Sequence, residues 1–87
     1  TMREEAPFTR QQLVQHLEDH QVRTRLLFGS NVLRQPAFST IERRVIGDLA
    51  QADRVMNGTF WIGVYPGITL EMIQYVVDVF DTWMKKW

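Results

Sequence analysis

Eighty-seven residues suffice for one domain with one modest core, because a chain this short buries only about 60% of its unfolded surface. A composition of 45% hydrophobic and 23% charged residues excludes a disordered chain. Ten basic against ten acidic side chains, with a pI near 6.6, argue against a protein built mainly to grip nucleic-acid phosphates.

The chain has no cysteine, which removes disulfides, thiolate nucleophiles and thiolate metal ligation. No apolar run approaches the ~20 residues that cross a bilayer, and Thr1 to Pro7 has two acids and no hydrophobic stretch like a secretion signal. A cytoplasmic protein without a membrane partner is expected, and the start at a threonine points to a fragment of something longer.

Residues 1–8 read as the tail of a preceding element, with a strand ending there. Thr9 is a good N-cap for a helix over roughly 10–20, whose apolar stripe is Leu13, Val14 and Leu17. Thr24 to Phe28 predicts a short strand, and Gly29, Ser30 and Asn31 a turn. The stretch 29–44 has no clean period, and Pro36 pushes Gln35 toward an extended backbone, so an ordered loop is expected.

Asp48 is placed to cap a helix through about Asn57 that would bury Leu49, Ala52, Val55 and Met56. Thr59 to Val64 predicts the next strand, and Tyr65-Pro66-Gly67 follows in the order a type II turn prefers. Thr69 caps a last helix, with Ile68 and Ile73 placed as a hydrophobic staple. Its stripe continues through Val76, Val77, Phe80, Trp83, Met84 and Trp87, while Lys85 and Lys86 suit the negative end of the helix dipole. One α+β domain over 1–87 results, helix-strand-helix-strand-helix, its small sheet covered by helices.

Several constellations carry chemistry on paper. His16 and His20 stand four apart on one helix face, a spacing zinc can use, but a third ligand is wanting and Glu18 has the wrong offset for a metalloprotease base; solvated histidines are the simpler expectation. Phe80, Trp83, Met84 and Trp87 suit a membrane or partner face as well as a core, and Glu71, Asp78 and Asp81 on that helix would repel anionic lipid. Neither lysine has surroundings that would desolvate an amine for a Schiff base. Glycine patterns that cradle phosphate are absent.

The middle of the chain is basic, with Arg23, Arg25, Arg34, Arg43 and Arg44 against Glu42 between residues 21 and 47. Thr24 to Asn31 followed by Arg34-Gln35-Pro36 strings two guanidiniums and two amides along a strand end and loop. Guanidinium binds phosphate by paired hydrogen bonds and amides read hydroxyls, so the set suits a sugar phosphate. Surface ion pairs and ordinary loop stabilisation fit the same residue types.

These runs, together with Gly47-Asp48-Leu49, Ala52 to Asn57 and Phe60 to Gly67, resemble the C-terminal end of the DegT/DnrJ/StrS aminotransferase-like enzymes. The likeness spans about Ala6 to Phe80 and is nearest to the branch of CDP-4-keto-6-deoxyglucose 3-dehydrases of lipopolysaccharide sugar synthesis. The resemblance implies the small domain of a fold-type I enzyme whose absent large domain binds pyridoxal or pyridoxamine phosphate. It places Arg25, Phe28, Asn31, Arg34 and Gln35 beside a nucleotide-linked sugar or the cofactor phosphate, with Ser30 where a second glycine is expected.

On that reading the chain alone binds no cofactor or metal and is catalytically silent, and the parent is a homodimer. The exposed face meant for the large domain would make the isolated chain self-associate. A stand-alone interaction or ligand-binding domain is the alternative, and a nucleic-acid binder using the arginine-rich middle a weaker one.

Overall fold

The computed structural model describes residues 1–87. Three α-helices and a two-stranded ribbon are joined by a long middle loop: α1 Arg10–Asp19, β1 Thr24–Leu26, α2 Ala50–Gly58, β2 Phe60–Ile62 and α3 Leu70–Met84. Between β1 and α2 the chain makes two single 3-10 turns, Val32–Arg34 and Pro36–Phe38.

α1 begins where its sequence says. Thr9 Oγ1 accepts from the Gln12 amide and the Gln12 side chain accepts from the Thr9 amide, a reciprocal capping box. The helix ends in a Schellman arrangement: the Gln21 amide donates to Glu18 O and the Val22 amide to Leu17 O. That geometry puts Gln21 at φ +61°, a conformation that favours glycine.

The core is Leu13, Leu17, Val22, Val79 and Trp83, built where α1 crosses α3, with Phe8, Phe60, Ile62, Val76 and Phe80 packed around it. Leu17 is fully enclosed. Phe8 meets the Trp83 ring edge-on at 5.3 Å, and Trp87 closes the aromatic cluster at 5.7 Å from Trp83. α3 therefore buries Val79, a position outside the predicted stripe, whereas Val77, Met84 and Trp87 stay substantially exposed.

The strands are antiparallel, with Thr24 opposite Ile62, Arg25 opposite Trp61 and Leu26 opposite Phe60. Only one face of this ribbon turns to the helices, so the expectation of a sheet covered by helices holds for that face alone. Both strands are shorter than predicted. β1 stops at Leu26 because Phe28 takes φ +39°, outside the extended region a ladder needs. No third strand forms at the start, although the Met2 amide donates to Gly58 O at 2.8 Å.

α2 begins at Ala50, two residues after Asp48, whose carboxylate accepts from the Ala50 amide at 3.0 Å while Leu49 adopts φ +56°. Its predicted apolar side is only half covered: Leu49, Ala52, Val55 and Met56 are all partly exposed, because α1 and α3 pack on each other instead. Arg10 ties α2 to α1 by donating to Met56 O at 2.6 Å and Thr59 O at 3.3 Å. The Tyr65 to Ile68 turn closes with the Ile68 amide on Tyr65 O, but Gly67 lies outside the left-handed region, so the turn is not type II.

The Cα radius of gyration is 16.3 Å, against about 12 Å for a compact domain of this length. Residues 36–48 are all exposed.

Candidate functional site

The five side chains singled out from sequence fall into two groups. Arg25 and Phe28 lie on the outer face of the ribbon. Register partners in an antiparallel pair project to the same side, so Arg25 stands beside Trp61, and the Phe28 ring meets the Trp61 ring edge-on at 5.3 Å. Phe28 is 82% exposed and Trp61 44%. The ion pairs of the chain engage Arg23, Arg34 and Arg54, and leave Arg25 without a carboxylate.

Asn31, Arg34 and Gln35 are engaged within the chain. Asn31 is almost fully buried, donating from Nδ2 to Asp53 Oδ1 at 2.7 Å and accepting the Leu33 amide. Arg34 makes a two-pronged contact with the same carboxylate, Nε to Oδ1 at 3.1 Å and Nη2 to Oδ2 at 2.9 Å, leaving Nη1 open. Gln35 Nε2 donates to Gly29 O at 3.0 Å. The loop is thus clasped to α2 through one carboxylate. The Arg34 hydrogen bonds, then that of Asn31, hold the Asp53 carboxyl below the usual carboxylate range.

Ser30, standing where a glycine was expected, has φ +50°. The position demands a left-handed backbone, and the serine meets it with its hydroxyl donating to Leu27 O. Sequence reasoning did not single out Asp53 or Trp61 as site residues. The charge of Asp53 against Arg34 was the available signal for the first, and the alternation of β2 for the second.

The other arginines of the basic middle differ in use. Arg23 reaches Glu18 at 3.5 Å from a fully solvated position. Arg43 donates to three carbonyls of its own loop, those of Phe38, Ser39 and Ile41, at 3.0 to 3.1 Å. Glu18 is chiefly occupied by Thr24, accepting from its amide at 2.6 Å and its hydroxyl at 2.8 Å, and these bonds lower its carboxyl pKa.

His16 corrects the expectation of two solvated rings, whereas His20 is exposed as expected. His16 is buried, its Nε2 donating to Val79 O at 3.2 Å and its ring 4.9 Å from that of Trp83. His20 donates from Nδ1 to His16 O at 2.7 Å. No group of three histidine, cysteine, aspartate or glutamate side chains lies close enough to hold a metal ion. No helix is long and apolar enough to cross a membrane.

Arg25 thus faces outward from β1 beside the Phe28 and Trp61 rings, and the loop that follows is clasped to α2 through Asp53. The chain belongs to the DegT/DnrJ/EryC1/StrS aminotransferase family, whose pattern it matches over residues 1–81. It is similar to the lipopolysaccharide biosynthesis protein RfbH of Salmonella typhimurium, with 47% identity over 81 residues, covering 93% of this chain and 18% of that protein. It is also similar to the dTDP-4-dehydro-2,6-dideoxy-D-glucose 3-dehydratase of Saccharopolyspora spinosa, with 46% identity over 86 residues, 99% of this chain and 19% of that enzyme. The chain therefore spans about a fifth of the length of these relatives.

Proposed function

We propose that this chain is the C-terminal small domain of a pyridoxal- or pyridoxamine-phosphate enzyme that dehydrates or aminates a nucleotide-linked deoxysugar. The family and the names of both relatives support that reading, and the 3-dehydratase name favours dehydration. The chain's own residues do not fit the cofactor. Its two lysines stand at the exposed end of α3, where Lys86 Nζ lies 5.3 Å over the Trp83 ring, away from the Arg25 and Phe28 face. The cofactor then belongs to the rest of the parent.

The observation that carries the proposal is Arg25, without a carboxylate partner and beside the Phe28 and Trp61 rings. Guanidinium offers a planar fork to a phosphate or diphosphate, and the exposed rings supply an apolar wall for a sugar or base. Arg34 adds a free Nη1 at the other end of the loop, while Asn31 and Gln35 fix the loop's shape.

Loss of one charge-assisted hydrogen bond costs about 1.5 to 3 kcal/mol. Arg25→Ala in the parent enzyme should therefore lower kcat/KM for the sugar nucleotide roughly ten- to hundredfold, mostly through KM, without changing the unfolding midpoint. An unchanged kcat/KM would remove Arg25 from the pocket.

A further inference from the structure

The accessible surface of the chain is 7211 Å², whereas a compact protein of its mass exposes about 5,400 Å². The surplus of about 1,800 Å² exceeds the ~800 Å² that each partner contributes to an ordinary interface and matches one side of an obligate one. Four of the seventeen exposed large apolar side chains lie together on one segment. Residues 36–48 are exposed throughout, and within them Phe38 is 43%, Ile41 51%, Val45 47% and Ile46 73% exposed.

This segment is nevertheless shaped. Arg43 gathers the carbonyls of Phe38, Ser39 and Ile41 around one guanidinium nitrogen. At one end the loop is rooted by the clasp of Asn31 and Arg34 on Asp53. At the other, Gly47 at φ +74° and Leu49 at φ +56° turn the chain back into α2. Four large apolar side chains held on a pre-formed backbone lose less entropy on docking than a free segment would, which is how a recognition arm is built.

We infer that residues 36–48 are an arm whose apolar side chains pack against the remaining polypeptide of the same parent subunit. This rests on the reading above that the chain is one part of a longer enzyme. The occupant follows from proportion: the relatives carry about four fifths of their length outside the matched region, so most of the polypeptide available to cover the arm is on the same chain. Phe38, Ile41, Val45 and Ile46 are its anchors.

The test places the photo-crosslinking residue p-benzoylphenylalanine at position 46 of the full-length parent. Irradiation should yield a species that still runs at monomer mass on a denaturing gel, with peptide mapping locating the bond on residues N-terminal to this domain. A dimer-mass species would assign the arm to a second copy and overturn the inference. Cross-links confined to the domain itself, or none, would leave the arm folded back or solvated and overturn it equally.

As a second measurement, Ile46→Asp should lower the thermal midpoint of the full-length protein, and an unchanged midpoint would count against burial. Both readouts are independent of turnover. A failure here with the Arg25 effect intact would sink the arm and spare the functional reading.

Discussion

Asn31 and Asp53, twenty-two positions apart, are joined by a 2.7 Å hydrogen bond on which the shape of the whole candidate loop depends. Because Arg34 engages the same carboxylate through two nitrogens, Asp53 acts as a single anchor for both side chains. Asp53→Asn keeps the size but cannot accept from all three donors. The variant should release the loop, seen as faster hydrogen exchange at the Leu33 and Arg34 amides. Unchanged exchange would mean that the loop is held by its 3-10 turns alone.

The same clasp sets a pH dependence. The Asp53 carboxyl is held low, first by its hydrogen bonds from Arg34 and then by that from Asn31; Glu18 is held low chiefly by the Thr24 amide. A group whose pKa is depressed on folding contributes its stability above the unfolded value and loses it as pH falls through the folded value. Stability should therefore be flat near neutrality and decline below about pH 4, the ordinary range for these carboxyls. Urea midpoints measured across that range should fall less steeply in Asp53→Asn than in the parent sequence.

Gln21 occupies the left-handed C′ position of α1 at φ +61°, where glycine has no Cβ to clash. Relief of that strain outweighs glycine's larger unfolded-state entropy, so Gln21→Gly should stabilise the chain by about 0.5 to 1 kcal/mol. Equilibrium unfolding in urea reads the change directly, and a loss of stability would show that the side chain of Gln21 does something the backbone does not require.

Leu17 is the one large side chain with no exposure in a core of five residues. Leu17→Ala should cost about 2 to 5 kcal/mol through lost transfer energy and the cavity left behind. That is a large fraction of the stability available to so small a domain. Circular dichroism at room temperature should show a substantially unfolded population, and Leu70→Ala, at an 85% exposed position, should be silent by comparison.

Helix starts were the most legible part of this sequence. Thr9 and Thr69 each cap as their neighbours require, because capping is a local reaction of one hydroxyl with an amide three residues on. The buried line of α3 was less legible: its apolar arc is wider than one neighbour can cover, so α1 decides that Val79 is enclosed and Val77 is not. Strand ends were lost at Phe28, whose left-handed φ has no signature in a bulky residue.

For the candidate site, residue type suggested ligand chemistry for Arg25, Asn31, Arg34 and Gln35, and the family resemblance added Phe28. It did not disclose that Asp53 takes the side chains of Asn31 and Arg34, or that Gly29 O takes Gln35. Those partners lie up to 22 residues away in sequence and are set by how the loop folds onto α2.

Arg10 has a final consequence. As the first residue of α1 it places a cation at that helix's positive end, an unfavourable location on its own helix. Its guanidinium, however, reaches the carbonyls of Met56 and Thr59, at the negative end of α2. One side chain thus couples the head of one dipole to the tail of another. Its two electrostatic effects oppose each other, so added salt, which screens both, should change the net contribution of Arg10 to stability little.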